Sequence, residues 1–162
     1  MLQAAKLPMT KQRWAWGLAG LVLAAIGFFE GRKYLADEEV RELCARDGGI
    51  KVYETVTLPA EKFDRFGNFK IPLKKDAKSN DEYYYEWDVE TYRQGNPETW
   101  RNRFILYRAI DQKILGEAIG YSRRGGDFPS PMHESSFGCP FDSDISVLKK
   151  QIFISGTARR GK

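Results

Sequence analysis

From Trp14 to Phe29 the chain reads WAWGLAGLVLAAIGFF, sixteen residues without a charge or a strongly polar group. A helix at the surface of a soluble domain keeps a polar side, and this run has none. At 1.5 Å per residue it covers roughly 24 Å, short of the ~30 Å hydrocarbon core of a bilayer, so its flanks must contribute. Lys11 and Arg13 are placed to snorkel toward headgroups, and Trp14, Trp16 and Tyr34 are of the types that settle at the interface. A buried core helix and a cleaved signal peptide are the alternatives. Cleavage needs small residues just past the apolar run, but that place holds Phe28, Phe29, Glu30, Gly31, Arg32 and Lys33. A lipoprotein site at Cys44 would need small, apolar residues before it, where Arg41, Glu42 and Leu43 stand. The reading is an uncleaved signal anchor.

The full chain has 162 residues and a formal net charge of +4. Residues 1–29 hold Lys6, Lys11 and Arg13 and no acid; removing those three from 26 Lys and Arg leaves 23 bases against 22 acids. The basic balance therefore sits in a short arm, and the nearly neutral body gives little electrostatic reason to bind nucleic acid. Counting Lys and Arg on the two flanks places the arm, residues 1–13, in the cytoplasm and the rest of the chain across the membrane, with a modest bias. The expected organisation is a basic arm (1–13), a transmembrane helix (14–29), a stalk helix (30–48) and a β-rich domain (49–162).

Past the apolar run, Ala36, Val40, Leu43 and Cys44 fall at i, i+4, i+7 and i+8, one stripe of a helix, and Asp37 with Arg41 and Glu42 with Arg46 form i, i+4 pairs elsewhere on it. Gly48-Gly49 should end that helix. The stripe predicts a helix whose far end docks on the domain. Ile50–Leu58 alternates as one half-buried strand. Phe63, Phe66, Phe69 and Ile71 are candidate core residues in the following loop, and Lys74–Asp81 should be an exposed tip. Glu82–Tyr92 reads as a strand ended by a turn at Gln94–Pro97, and Arg103–Ile110 with Ile114–Ser122 as a hairpin. Ser143–Ser155 fits a helix, although its end, QIFIS, fits a strand as well. The fold class expected is α+β: a membrane helix continuing into a stalk, then a mainly antiparallel β domain closed by a C-terminal helix or strand.

Two cysteines and one histidine, His133, are too few and too dispersed for a structural metal site, and no cofactor motif is present. If the body lies outside the cytoplasm, Cys44 and Cys139 suit a disulfide; two unconnected thiols are the alternative. Asp127, His133, Ser135 and Cys139 could be assembled into a nucleophile–base set for a small hydrolase, but nothing in their spacing demands it, and a plain loop is the simpler reading. Arg123-Arg124 beside Gly125-Gly126 is a candidate anion-holding pair. The aromatic segment around Tyr84 and Trp87 is a candidate partner surface, because an alternating strand must show one face to solvent. Gly20 with Ala24, and Gly27 with Gly31, permit close helix approach and with it self-association.

Cys44–Val56 (CARDGGIKVYETV), Tyr92–Trp100 (YRQGNPETW) and Tyr121–Cys139 resemble stretches in a group of small uncharacterised bacterial and prophage-associated membrane-anchored proteins. The resemblance implies a bacterial envelope protein and carries no activity or catalytic residues. With it, the expectation is a single-pass inner-membrane protein whose periplasmic domain is a non-enzymatic binding or accessory module for an envelope protein. A phage exclusion or immunity factor and a hydrolase using His133 are the competing readings.

Overall fold

The computed structural model describes residues 9–127 and 134–156, with side chains from residue 13 on. A helix, α1 (Met9–Asp47), runs unbroken from the apolar segment into the domain. Its Arg13–Asp47 portion is long and apolar enough to cross a membrane, and the most apolar window within it is buried against nothing. Helical backbone satisfies its own hydrogen bonds, so such a segment can stand in hydrocarbon. Gly48 closes the helix by donating to Cys44 O at 2.9 Å. A Cβ there would come within 2.8 Å of that carbonyl, and Gly49 follows with φ +116°, a backbone conformation that L side chains avoid.

The domain that follows is α+β, as the sequence predicts. Its main sheet has the order β1-β5-β4-β3, from β1 (Gly49–Val52), β3 (Tyr83–Arg93), β4 (Glu98–Arg108) and β5 (Lys113–Arg124). All neighbours are antiparallel, and β6 (Ser136–Cys139) pairs with the end of β5 past β1. The hairpin predicted around residues 111–113 is β4–β5, and the turn at Gln94–Pro97 joins β3 to β4. The C-terminal ambiguity resolves into both elements: α2 (Ile145–Ile152), followed at once by β7 (Phe153–Gly156). Asp144 caps α2 by accepting from Ser146 N at 2.6 Å and Val147 N at 3.0 Å, partners that the first turn of a helix leaves free.

Two expectations are corrected. Ile50–Leu58 is not one strand: β1 joins the main sheet, whereas β2 (Val56–Pro59) pairs in parallel with β7 in a second, two-stranded sheet. The chain peels away at residues 53–55. There the amides of Tyr53 and Glu54 both donate to Leu115 O, at 2.9 and 3.0 Å, and Glu54 is held by Arg108 at 2.7 Å and Lys113 at 2.6 Å. Alternation of side chains does not reveal such a change of partner. Phe66 is not a core residue; it is 70% exposed beneath the Arg65 guanidinium, while Phe63 and Phe69 do pack on the core.

Each face of the main sheet buries its own cluster. On one side Leu106, Leu115 and Ala118 meet Leu148 and Ile152 of α2 together with Leu58, Ile71, Tyr83 and Phe153. On the other, Val40, Leu43 and Cys44 of α1 meet Ile119, Tyr121, Phe137 and Cys139. The stripe read from the sequence is thus the docking face of α1, and Ala36 and Val40 are fully buried there. Docking begins early in this stretch of the helix. Arg32 Nη2 donates to Asn96 O at 2.5 Å and Lys33 Nζ meets Asp127 Oδ1 at 2.8 Å, only a few residues past Phe29. Residues 32–47 lie along the sheet.

Candidate binding surface

Arg123 and Arg124 neighbour each other on β5 and so point to opposite sides of it. Arg123 is 1% exposed. Its Nε lies 2.7 Å from Asp37 Oδ1 of α1, and its Nη1 donates to Gly125 O and, at 3.0 Å, to Ser135 Oγ. Its guanidinium is therefore occupied within the fold, where it ties helix, strand and loop together. Arg124 is exposed and pairs with Glu134 at 2.8 Å. The two arginines do not converge on one anion. A doublet next to glycines gives no sign of which member turns inward; the signal was Asp37, whose side of α1 adjoins the docking stripe.

Asp127 and Ser135 do come together. Ser135 N donates to Asp127 Oδ2 at 2.7 Å and its Oγ to Oδ1 at 2.9 Å. Lys33 first, then these Ser135 bonds, hold the Asp127 carboxyl well below the usual carboxylate range. Ser135 Oγ donates to a carboxylate and accepts from Arg123, which makes it part of a structural joint. His133 lies outside the described residues. Cys44 and Cys139 stand at disulfide distance, with Cα atoms 6.0 Å apart, and they join α1 to β6 across the second core cluster. The four residues that could have formed a hydrolytic set thus include three with structural partners. Among the described residues no group of three or more His, Cys, Asp or Glu could hold a metal.

Tyr84 and Trp87 fall on opposite faces of β3, since they stand three positions apart. Tyr84 is buried, stacked on Tyr107 with ring centroids 5.2 Å apart, and its hydroxyl bonds Gln112. Trp87 is 56% exposed on the α2 side and stacks on Phe104 at 6.0 Å. The eight-residue α2 covers only one end of that face. Beyond it opens a groove of about 380 Å³ lined by Asn102, Phe104, Ser122, Pro140, Phe141 and Asp144. Gly120 and Gly138 also line this groove. A Cβ on Gly120 would sit 2.4 Å from Ser143 Oγ. Phe141, on the groove wall, is 94% exposed. The residues around it, Pro140, Asp142, Ser143 and Asp144, carry no periodic pattern that would place it with Trp87.

A second groove, of about 620 Å³, follows the outer edge of β3 and is lined by Leu73, Lys74, Lys75, Glu86, Trp87, Asp88, Arg103 and Ile105. Its acids and bases are partly paired across strands: Lys74 with Glu86, and Arg103 with the buried Glu117 at 2.6 Å. Tyr53 hydroxyl also donates to Glu117, at 2.6 Å. Burial opposes ionisation of Glu117, but these partners outweigh it and the carboxyl is lowered overall. No protein-family model, curated protein or solved structure matches this chain.

Proposed function

We propose that the protein is a single-pass anchor whose β-rich domain binds another protein at the membrane, without catalysis of its own. The observation that carries the reading is the open end of the sheet, where Phe104 and Phe141 line a groove that α2 leaves uncovered and the exposed Trp87 stacks on Phe104. Exposed aromatics around a groove are the usual makings of an interaction site. The engagement of Ser135, Asp127 and Cys139 in structural contacts speaks against a hydrolase built on them. The cysteine pair suits an oxidising compartment, and with the positively charged arm this favours an inner-membrane protein with its domain in the periplasm. Exclusion or immunity at the envelope would be a special case of the same binding role, and deleting the gene tests it through phage and toxin sensitivity.

The direct experiment crosslinks the full chain in its native membrane and identifies what is captured. Trp87→Ala with Phe141→Ser should lose the partner, whereas Arg124→Ala, at an exposed ion pair, should retain it. A partner held equally by all variants would refute the assignment of the surface.

A further inference from the structure

We propose that the free edge of β3, from Trp87 to Thr91, accepts an extended segment of the partner protein in which apolar residues alternate with basic ones. This rests on the reading of the domain as a membrane-held binding module and adds the chemistry of what it binds.

The edge is built for a strand. β3 is the last strand of the main sheet on its side, and a strand edge presents unpaired amides and carbonyls. Tyr85 N already points outward, donating to Pro72 O at 3.1 Å, and Tyr85 forms a parallel bridge with Leu73. The chain then turns off through a short 3-10 turn at Lys74–Asp76. Backbone groups alternate in direction along a strand, so Trp87, Val89 and Thr91 also present N–H and C=O outward. Among the described residues no other segment pairs with them. The bulge that interrupts β3 comes only between Thr91 and Arg93, so a straight stretch stays open. The groove of about 620 Å³ runs beside it from Leu73 to Asp88.

The side chains set the alternation. Trp87 and Val89 stand on the α2 face and are 56% and 49% exposed; an added strand would cover them with apolar residues, as cross-strand neighbours do. Asp88 and Glu90 stand on the other face. Glu90 is paired with Arg101 at 2.8 Å, while Asp88 makes no ion pair among the described residues. Of the three bases that line the groove, Lys74 and Arg103 are engaged by Glu86 and Glu117, and Lys75 makes no ion pair among the described residues. A lysine or arginine of the incoming segment opposite Asp88 completes the charge pattern.

A second copy of this chain fits the edge poorly. Contacts from Lys33–Asp127 through Asp37–Arg123 to Asp47–Tyr121 show that β5, and with it β3, runs roughly along α1. Antiparallel pairing of two β3 strands needs a two-fold axis perpendicular to the sheet, hence in the plane of the bilayer. That operation points the apolar run of the second α1 away from the membrane that holds the first.

The test uses the full chain in a zwitterionic detergent and two acetylated probe peptides, one alternating lysine and valine and one alternating glutamate and valine. The lysine peptide should bind at least about tenfold more tightly, a difference of ~1.4 kcal/mol, and should slow amide exchange at Trp87 and Val89. Val89→Pro removes an outward N–H that no ladder bond uses, a position where an edge strand tolerates proline. It should weaken binding about tenfold or more, and Asp88→Lys should do the same without touching the backbone. Equal binding of both peptides, or binding indifferent to Val89→Pro, would overturn the proposal. So would a change of oligomeric state in Val89→Pro, which would give the edge to a second copy. A crosslinked partner that persists in Val89→Pro removes edge docking alone; a native chain that crosslinks to nothing removes the binding-module reading itself.

Discussion

At the scale of single residues, the junction between α1 and the domain sets a buried ion pair beside its apolar cluster. Arg123 is buried with its guanidinium on Asp37 and on loop oxygens. Removing one partner of such a pair strands the other without water, a loss of roughly 3–5 kcal/mol. Arg123→Ala should therefore lower the unfolding free energy by about 3 kcal/mol in a denaturant titration, whereas Arg124→Ala should change it by less than about 1 kcal/mol because its pair is exposed. The Lys33–Asp127 contact gives a pH dependence whose sign is fixed. The Asp127 carboxyl is lowered from its ordinary value of 3.8, mainly by Lys33. Its contribution is thus fully present above about pH 4 and is lost as acidity rises below it. Thermal melts from pH 6 downward should show that acid loss in the native chain and less of it in Asp127→Asn. Tyr121 behaves differently: burial, then its hydrogen bond to Asp47, pushes its hydroxyl up to about 12, so it stays protonated throughout that range. The sequence offered Arg123 and Asp37 as residues, but 86 positions separate them, and nothing local links them.

At the scale of elements, α2 and the cysteine pair are the two fastenings of the fold. Leu148 is fully buried on α2 and seats directly over Gly116, whose absent Cβ leaves room for it and for Ile152. Leu148→Ala should cost about 2–5 kcal/mol, read by the same denaturant titration. Cys44 and Cys139 close a span of 95 residues. Opening that span by Cys44→Ser with Cys139→Ser should cost roughly 4–5 kcal/mol in the chain-entropy account, and protease digestion should then separate α1 from the sheet more readily. Elements with a strong period were legible: the apolar run, the docking stripe and the β4–β5 hairpin all stand where the residues predicted them. The division of Ile50–Leu58 was not legible, because β1 and β2 alternate alike and differ only in which distant strand they meet. The candidate surface was half legible, since Trp87 could be named from its strand while Phe141 sits in a loop without a pattern.

At the scale of the whole molecule, one helix carries both a run long and apolar enough to cross a membrane and the face that docks on the domain. Gly20, Ala24, Gly27 and Gly31 have helical positions away from the stripe that docks on the sheet, and a Cβ at any of these glycines would meet nothing within 4 Å. We propose that this side pairs with a second α1, the two domains facing outward. Gly20→Leu should then shift the native chain toward monomer in detergent crosslinking, and an unchanged distribution would remove the idea. A reporter that works only outside the cytoplasm, fused after Lys162, should be active if the expected topology holds, and the chain should run differently with and without reductant.

Because Arg32 and Lys33 are gripped by Asn96 and Asp127 within a few residues of the apolar run, the domain has almost no tether. A long flexible linker would let a module search a hemisphere above its anchor. In a bilayer, a helix clamped in this way would leave the domain little beyond spinning about the membrane normal and drifting sideways, so the edge of β3 would sweep a thin layer at constant height. Encounters with other membrane-held proteins become a search in two dimensions, in which a weak contact is found often, and only partners presenting a segment at that height can meet it at all.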